Sequence, residues 1–565
     1  MKYNARFVYN VRNVVTIRQL LESSFELFPN NAAFLYHEQS NVVEKTYKAV
    51  LADVKAFSTY LNQKGLEGKI IAVTGKNCYE WALIYLAVAC GTGIIMPVDK
   101  DLREDEIDYL LRDSGAAAIV YSSEVEEKIL KNKSDCIKMS MDNMGAYLDE
   151  GNALLKQGDL SYLHHRIDPY ALGILLYTSG TTGVAKGVML SQNNICSNIV
   201  NVCRMVHVSS EDRVLSVLPL HHTYECMAGF LSILFLGGSI AYNRSLKKLQ
   251  ADFLTFRPTI FIAVPLILES LRKMIIKKYS KIFGGNMVLN AQRTVSTLAG
   301  PLMKAKKLVF NSVNAAFGGR LRLILSGAAP LSPETFRDYE RFGIKTLIGY
   351  GLTETSPVCI MHSDFYRSAD DIGYPIVGVQ AKISDPGEDG VGELAVKGPN
   401  VMLGYYNNPE ETQKVMKDGW FYTGDLAKQK QNGAFQITGR LKSMIVLPSG
   451  KKVFPEEFEY YLMRYPYVGE CMVYGVDGEN GIELTVSIYP NTEEVDKRLV
   501  KDNFVPDSAE YNYAKRNLFE NIIREVNEKF PKYKHIRRVI LRDKEFEKTT
   551  TRKIKRTAAA NLKQD

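Results

Sequence analysis

Two hydrophobic periodicities alternate along most of the chain. Apolar residues recur at three- and four-residue spacing in TIRQLLESSFELFP (16–29) and YKAVLADVKAFSTYLNQKG (47–65), which predicts amphipathic helices. Short apolar runs such as KIIAVTG and AAAIVYSS lie between them and predict buried strands. The same alternation returns in RVLSVLPL, PTIFIAVP, RLRLILSGAAP and IKTLIGYG. Strands that alternate with helices predict two α/β layers built on parallel sheets.

Two uncharged runs, WALIYLAVACGTGIIMPV (81–98) and CMAGFLSILFLGGSIAY (226–242), are long enough to suggest membrane spans. Glycines interrupt each run after about a dozen residues, and strand-like residues follow. Each run therefore predicts a buried helix, a glycine stop and a buried strand.

The texture changes after residue 370, where short strands alternate with Gly-rich turns in QAKISDPGEDGVGELAVKG and GAFQITGR. A compact α/β texture follows from about residue 440. The predicted fold class is α/β. We expect a large N-terminal domain (1–440) of two α/β subdomains plus a β-rich subdomain at about 365–440, and a small α+β C-terminal domain (441–565).

Composition narrows the function only slightly. The chain has 565 residues, of which 46% are hydrophobic and 24% charged, and its 71 basic against 63 acidic residues leave a net charge of +8. This excess suits polyanionic small molecules or an anionic membrane surface and is too weak to predict nucleic-acid binding. The eight cysteines form no C-x-x-C pair, and the N-terminus lacks a signal-peptide pattern, so we expect a cytoplasmic protein.

The stretch YTSGTTGVAKGV (177–188) combines hydroxyls, glycines and a lysine, the residue types that surround phosphate groups. It follows an apolar run and precedes a helix-like pattern, so we expect it to join a strand to a helix. Lys186 follows Ala185 rather than glycine, which excludes a Walker A loop.

Further motifs follow this loop in order along the chain. They are PLHHTYE (219–225), SGAAPLSPE (326–334), GYGLTETSP (349–357), GWFYTGDLA (419–427), TGRLKSMIVLPSGKKVFPEEFE (438–459) and KTTTRKIKR (548–556). This ordered set resembles the adenylate-forming superfamily of acyl-CoA synthetases, carrier-loading adenylation domains and luciferases. The segments LPLHHTYEC and KKLVFNSVNAAFGGRLRLILSGAAPLS resemble long-chain fatty acid–CoA ligases in particular.

The resemblance implies a two-step reaction. A fatty carboxylate, poorly electrophilic as an anion, attacks the α-phosphate of ATP and gives an acyl-adenylate and pyrophosphate. The thiolate of CoA then displaces AMP. ATP and CoA are the implied co-substrates and Mg²⁺ the implied cofactor.

The resemblance also assigns roles to residues. The phosphate cradle comprises Thr178, Ser179, Gly180, Thr181, Thr182, Gly183 and Lys186, and the nucleotide contacts comprise Gly327, Ala328, Tyr350, Gly351, Asp425 and Arg440. The catalytic residues are Thr353 at the α-phosphate, Glu354 as the Mg²⁺ ligand and Lys553, which steadies charge at phosphorus. The remaining assignments are the hinge of a mobile C-terminal domain, Lys442; the acyl pocket, His222; and the CoA tunnel, Ser449 and Gly450.

Some positions depart from the family pattern. Arg552 precedes Lys553 where glycine is usual, and Lys430 stands where an acidic residue often follows the TGD motif. The first departure leaves open how freely Lys553 enters the site.

Several alternatives stay open. The substrate could instead be an aryl or other carboxylic acid, the acceptor a carrier protein, or the chain a non-catalytic nucleotide-binding homologue. Amino-acid-activating members usually carry Asp in the region of HHTY, which is absent here, although Glu225 lies close by. The amphipathic segment 266–283 has a basic face, which leaves a peripheral membrane contact open; the sequence gives no oligomeric state.

Overall fold

The computed structural model describes residues 8–178, 185–283, 313–447, 452–478, 481–506, 508–548, 554–556 and 558–562. Contacts within the chain divide it into two compact units. The first comprises Met1–Lys382, Ala395–Tyr422 and Lys430–Phe435, and the second Ile383–Leu394, Thr423–Gln429 and Gln436–Asp565. The predicted boundary between residues 440 and 441 stays a prediction.

The first unit contains two large sheets. Its first eight strands are β1 (Ala32–Glu38), β2 (Asn41–Thr46), β3 (Ile70–Thr74), β4 (Ile94–Val98), β5 (Ala118–Tyr121), β6 (Ile137–Ser140), β7 (Leu172–Thr178) and β8 (Lys186–Ser191). They continue as β9 (Arg213–Ser216), β10 (Ser239–Tyr242), β11 (Ile260–Ala263), β12 (Leu323–Ser326), β13 (Lys345–Gly351), β14 (Val358–Met361) and β15 (Tyr374–Pro375).

Short strands follow in the Gly-rich region: β16 (Gln380–Ser384), β17 (Gly392–Lys397), β18 (Gly404–Tyr405), β19 (Met416–Lys417), β20 (Trp420–Gln429) and β21 (Phe435–Arg440). Several of them are joined by turns at glycines, such as Gly390, Gly419 and Gly433, all with positive φ. This is the β-rich texture expected for this part of the chain.

One sheet has seven strands in the order β18-β8-β7-β4-β3-β5-β6. Its centre is parallel, and its strands are near-continuous apolar runs such as IIAVT in β3, because both faces of the sheet are buried. β8 and β18 run antiparallel at one edge.

The other sheet has nine strands in the order β15-β14-β13-β12-β11-β9-β10-β1-β2. Its middle strands are parallel, and β2, β14 and β15 are antiparallel at its edges. The carboxyl ends of β12 and β13 are therefore neighbours, the place where ligands bind in open α/β sheets.

Helices lie between the strands of the first unit. They are α1 (Ile17–Leu27), α2 (Tyr47–Gln63), α3 (Tyr79–Gly91), α4 (Glu104–Ser114), α5 (Glu126–Lys131), α6 (Met144–Lys156), α7 (Ser161–His164), α8 (Gln192–Cys203), α9 (Ser232–Phe235), α10 (Leu249–Phe256), α11 (Pro265–Phe283), α12 (Pro333–Arg341) and α13 (Pro409–Val415). Side chains of Thr16, Thr46 and Ser191 accept hydrogen bonds from the first turns of α1, α2 and α8, which fixes where these helices begin.

The two uncharged runs have the predicted structure. The first is the buried helix α3 followed by β4, and the second is a π-helical segment, Glu225–Leu231, then α9 and β10. None of the helices in the described part of the chain combines the length and apolarity needed to span a bilayer.

The helix α11 is amphipathic, as its sequence predicts. Leu268, Leu271 and Ile275 are buried in the core of the first unit, whereas Leu266 and Met274 are more than half exposed. Whether this exposed face meets a membrane stays a prediction.

The second unit carries its own core. Its remaining strands are β22 (Ile445–Val446), β23 (Lys452–Val453), β24 (Val468–Gly478), β25 (Gly481–Pro490) and β26 (Arg538–Leu541), and its helices are α14 (Pro455–Leu462), α15 (Thr492–Lys501), α16 (Ala509–Asn527) and α17 (Ala559–Leu562). Apolar residues from α14, α15, α16 and the three-stranded sheet β24-β25-β26 pack together. The α/β fold class, with a large N-terminal and a small C-terminal domain, is confirmed; the mobility of the C-terminal domain stays a prediction.

Candidate active site

The predicted phosphate loop is bounded by two paired strands. β7 ends at Thr178, β8 begins at Lys186, and these two residues lie opposite each other in an antiparallel pair. The prediction that a helix directly follows the loop is wrong, because α8 begins only at Gln192, after β8. Val188 and Leu190 are buried while β8 pairs with strands on both sides, which requires extended backbone.

Lys186 lies in a partly buried, charged environment. Its Nζ atom forms an ion pair with Glu411, with side-chain exposures of 15% for Lys186 and 26% for Glu411. The same Nζ atom is 5.3 Å from the centre of the Tyr405 ring, within the range of a cation–π attraction. Glu411 also pairs with Lys414. Hydrogen bonds from Lys186 and then Lys414 lower the pKa of Glu411 to about 2.

Glu354 lies just after β13, in a short 3₁₀ turn that begins at Thr353. Its carboxylate accepts a 2.9 Å hydrogen bond from the hydroxyl of Tyr405, and its backbone carbonyl accepts one from the amide of Met402. Burial raises the pKa of Tyr405, and the charge of Glu354 raises it further. The hydroxyl therefore stays protonated and acts as the hydrogen-bond donor. Tyr405 thus contacts both the predicted phosphate-binding lysine and the predicted metal-binding carboxylate.

The predicted nucleotide contacts in the first unit lie at the carboxyl ends of β12 and β13. Gly327 and Ala328 directly follow β12, and Tyr350 and Gly351 end β13. Ala328 has φ of 67°, a left-handed conformation that is uncommon for alanine and is often found at functional sites.

Both glycines stand where a side chain has no room. A Cβ atom on Gly327 would lie 2.9 Å from the ring of Tyr224, and one on Gly351 would lie 1.8 Å from the carbonyl oxygen of Pro357. Only glycine at these two positions allows the backbone to pack directly against Tyr224 and Pro357.

The residues present fit a magnesium ion held jointly with phosphate. In the parts of the chain that the structure describes, no cluster of three or more His, Cys, Asp or Glu side chains is placed to hold a metal ion. Mg²⁺ commonly takes one or two carboxylates and completes its coordination with water and substrate phosphates. Glu354 offers such a carboxylate, and its hydrogen bond with Tyr405 engages one of its two oxygens.

The second unit brings together the predicted ribose-binding pair. The Nε atom of Arg440 lies 2.8 Å from Oδ1 of Asp425, whose side chain is 5% exposed. The backbone amide of Asp425 donates a hydrogen bond to the hydroxyl of Thr423, which orders the turn that carries this side chain. Lys442, the predicted hinge residue, follows in an exposed 3₁₀ turn after β21.

Several predicted residues lie outside the described residues. They are Ser179, Gly180, Thr181, Thr182 and Gly183 of the loop, Ser449 and Gly450 of the CoA tunnel, and the catalytic Lys553. Residues on either side of Lys553 are nevertheless anchored in the second unit: Lys548 pairs with Glu470, and Arg556 pairs with the partly buried Glu459.

The segment PLHHTYE lies beside a small, largely apolar cavity. Ile174, Leu176, Ile195 and His221 are among the residues that line it. The histidine of this segment that reaches the cavity is His221, next to the predicted His222, and the two rings lie 4.1 Å apart.

Glu225, at the end of the same segment, is fully enclosed by protein. Its Oε1 atom accepts a 2.6 Å hydrogen bond from Ser216, and the residue is 0% exposed. Burial raises the pKa of Glu225 to about 8 against the lowering effect of the Ser216 hydroxyl. A carboxyl that is enclosed by protein and whose pKa is raised by burial is a poor partner for a substrate ammonium group.

The sequence reasoning missed two residues of this site, Tyr405 and Glu411. Both belong to GYYNNPEETQKV (404–415), which separates two of the recognised motifs. The pairing of β18 with β8 brings this segment beside Lys186. The aromatic and acidic residues of that stretch are a sequence signal for a polar site. Only the strand pairing shows that Tyr405 and Glu411 contact Lys186.

Comparison with known proteins identifies the family. Residues 21–406 match the AMP-binding enzyme family, and residues 442–564 match the AMP-binding enzyme C-terminal domain. Long chain acyl-CoA synthetase 6, peroxisomal, from Arabidopsis thaliana is 28% identical over 470 residues, which cover 75% of this chain and 65% of that relative's length.

A second relative and a solved structure cover more of the chain. Long-chain-fatty-acid–[acyl-carrier-protein] ligase AEE15, chloroplastic, from Arabidopsis thaliana is 30% identical over 571 residues, 85% of this chain and 77% of its own. The crystal structure of an anthranilate CoA ligase in complex with anthranoyl-AMP superposes with a TM-score of 0.75 at 20% identity, covering 97% of this chain and 96% of that one. The chain therefore belongs to the family of AMP-binding enzymes.

Proposed function

We propose that this protein activates a long-chain fatty acid with ATP and transfers the acyl group to CoA. In the first step a carboxylate oxygen of the acid attacks the α-phosphorus, and the bond to the β-phosphate oxygen breaks to release pyrophosphate. In the second step the CoA thiolate attacks the acyl carbon, and the bond to the AMP oxygen breaks. The products are acyl-CoA, AMP and pyrophosphate.

One observation carries this proposal. Tyr405 contacts Lys186 with its ring and Glu354 with its hydroxyl, so a cation suited to phosphate and a carboxylate suited to a hard metal ion share one neighbour. These two residues come from separate motifs of the sequence. A triphosphate needs both kinds of group, because its own charge must be neutralised before a second anion can approach it.

Each residue then has a physical task. Lys186 attracts the outer phosphates, which leave as pyrophosphate, and Thr353 hydrogen-bonds the α-phosphate. Glu354 would hold Mg²⁺ together with the nucleotide, and the ion would supply neutralising charge. Asp425 and Arg440 hold the ribose, and Lys553 stabilises the charge that accumulates when carboxylate and phosphate meet.

The relatives and the buried Glu225 bear on the nature of the acid. The curated relatives described above are named for long-chain fatty acids, which favours an aliphatic substrate, whereas the structural neighbour binds an aromatic acyl group. The enclosure of Glu225 disfavours a substrate with an amine. A long-chain fatty acid is therefore our first choice and an aryl acid the second.

The acceptor also has two candidates. One relative is named for CoA and the other for the acyl carrier protein. The segment LPSGKK resembles the lining of the pantetheine tunnel, which suits either acceptor, because both present the same pantetheine arm. We propose CoA, because the segments LPLHHTYEC and KKLVFNSVNAAFGGRLRLILSGAAPLS resemble fatty acid–CoA ligases; the carrier protein is the alternative.

An acid panel tests both choices. The purified protein is incubated with ATP, Mg²⁺ and either palmitate, octanoate, benzoate, anthranilate or an amino acid, with free CoA or holo acyl carrier protein as acceptor. AMP release and the thioester product are measured together by mass spectrometry. Palmitoyl-CoA as the main product supports the proposal; an aryl thioester would replace the substrate, and ATP binding without AMP release from any acid would contradict catalysis.

A further inference from the structure

We propose that Glu411 is an internal counter-anion that occupies Lys186 when no nucleotide is bound and that the phosphates of ATP must displace. Lys186 would then exchange between a protein carboxylate and the triphosphate. The inference rests on the proposed function, because it takes Lys186 as a ligand of the outer phosphates. Glu411 thereby becomes a residue that sets nucleotide affinity without itself touching the nucleotide.

The geometry holds the pair in a defined place. Tyr405 in β18 lies opposite Val188 in β8, so the chain that leads into α13 starts beside the strand that carries Lys186. Asn408 accepts a hydrogen bond from the Glu411 amide and caps α13, which fixes the position of the carboxylate-bearing residue. The Lys186 ammonium group is left between the Glu411 carboxylate and the Tyr405 ring.

A carboxylate in this position mimics a phosphate oxygen. Both are anionic acceptors for the same ammonium group, and a lysine with 15% of its side chain exposed has little room to contact two anions in different directions. Phosphate therefore gains Lys186 only by removing it from Glu411. The exchange lowers apparent ATP affinity and gives the lysine an alternative partner when pyrophosphate leaves.

Lys414 lowers the free-energy cost of this exchange, because it remains a partner of the Glu411 carboxylate. Lys414 lies one turn further along α13, contacts the same carboxylate, and has 66% of its side chain exposed. When Lys186 turns to phosphate, Glu411 keeps Lys414 and does not become an unpaired, partly buried anion. Removal of Lys414 should therefore strengthen the ion pair between Glu411 and Lys186 and weaken ATP binding. Removal of the Glu411 charge should have the opposite effect on ATP binding.

Calorimetric titration of the full-length protein tests the inference, with ATP plus Mg²⁺ as one probe and AMP as the other. We expect Glu411→Gln to lower the Kd for ATP by roughly three- to tenfold, since a tenfold change in Kd corresponds to about 1.4 kcal/mol. AMP lacks the outer phosphates, so its Kd should not change. A general disturbance of the fold would alter both.

One matched control, Glu410, lies on α13, and the other, Lys417, lies in β19 directly after it. Glu410 is the neighbouring residue, and its side chain is exposed. Glu410→Gln removes the same charge as Glu411→Gln and should leave ATP affinity unchanged. Lys414→Met should weaken ATP binding by roughly two- to fivefold, in the range of a partly exposed ion pair, whereas Lys417→Met should not.

The outcomes separate the inference from the proposed function. Wild-type protein that binds no ATP would remove the proposed function and the inference with it. If the wild type binds ATP, two results would overturn the inference alone. One is a Kd for ATP of Glu411→Gln that equals that of Glu410→Gln; the other is a Kd of Glu411→Gln higher than that of the wild type. An unchanged or tighter ATP complex in Lys414→Met would also overturn it, because the counter-anion would then not depend on its second lysine.

Discussion

The hydroxyl of Tyr405 donates a 2.9 Å hydrogen bond to the carboxylate of Glu354. Tyr405 is 8% exposed, so the bond is shielded from water, and the carboxylate oxygen that accepts it is fixed in direction. A fixed carboxylate presents its other oxygen to a metal ion without first losing conformational freedom. The relationship makes Tyr405 a positioning residue for the proposed magnesium ligand.

Tyr405→Phe should therefore weaken magnesium binding at the ATP site. The variant keeps the ring beside Lys186 and removes only the hydroxyl. We expect the Mg²⁺ concentration that half-saturates ATP binding to rise roughly tenfold, the lower end of the effect of losing a hydrogen bond behind a metal ligand. Calorimetric titration of ATP at a series of Mg²⁺ concentrations measures this directly.

Tyr406→Phe is the matched control, because the Tyr406 hydroxyl contacts the backbone of Ser114 and not Glu354. If the magnesium curves of Tyr405→Phe and Tyr406→Phe coincide, the hydrogen bond has no role in metal binding.

The Asp425–Arg440 pair predicts a different nucleotide signature. Asp425→Asn removes the carboxylate charge but keeps the side-chain shape, and ATP and AMP both contain the ribose that we propose it binds. We expect the two Kd values to rise by the same factor, roughly tenfold, the cost of losing a charged hydrogen bond. Asp389→Asn, at an exposed turn of the same unit, serves as the control. A loss confined to ATP would place Asp425 near the outer phosphates instead.

Glu225 predicts a pH-dependent stability. Burial raises its pKa in the folded protein to about 8, above its ordinary value of 4.5, so the folded state holds this proton more tightly than the unfolded state. The resulting stability is complete below about pH 4.5 and is lost as the pH rises toward 8. Gln carries no charge at any of these pH values, so Glu225→Gln should escape this loss.

Thermal unfolding of the two proteins across this range provides the measurement. The unfolding midpoint of the wild type, relative to Glu225→Gln, should fall by a few degrees between about pH 5 and about pH 8. The exposed Glu211→Gln is the control and should follow the wild type at each pH. A constant difference between the wild type and Glu225→Gln would show that Glu225 ionises normally.

Local patterns were sufficient for much of the fold. The run 81–98 is uncharged throughout, but its glycines and the Ile-rich end distinguish a buried helix and strand from a membrane span, and α3 and β4 have that arrangement. The same reasoning failed for 186–191. KGVMLS reads equally well as the first turns of a helix, and only its pairing with β7 and β18 determines that it is a strand.

The site was predictable only where a motif names the residue. Tyr405 and Glu411 contact Lys186 because distant segments pair in the sheet, which no local pattern encodes. Lys430, a departure from the family pattern, also contacts a residue that is distant in the sequence. Its Nζ atom lies 2.9 Å from Asp371, whose fully buried carboxylate it neutralises.

Acid-dependent exchange of labelled pyrophosphate into ATP tests the central claim most directly, because it isolates adenylate formation from thioester formation. Wild-type protein should catalyse the exchange with palmitate, and Lys553→Ala should lower the rate by roughly 10²- to 10³-fold, the usual cost of losing one charge-stabilising group. Lys555→Ala, two residues along the same segment, should retain the exchange. Undiminished exchange in Lys553→Ala, or no exchange with any fatty acid in the wild type, would contradict the account.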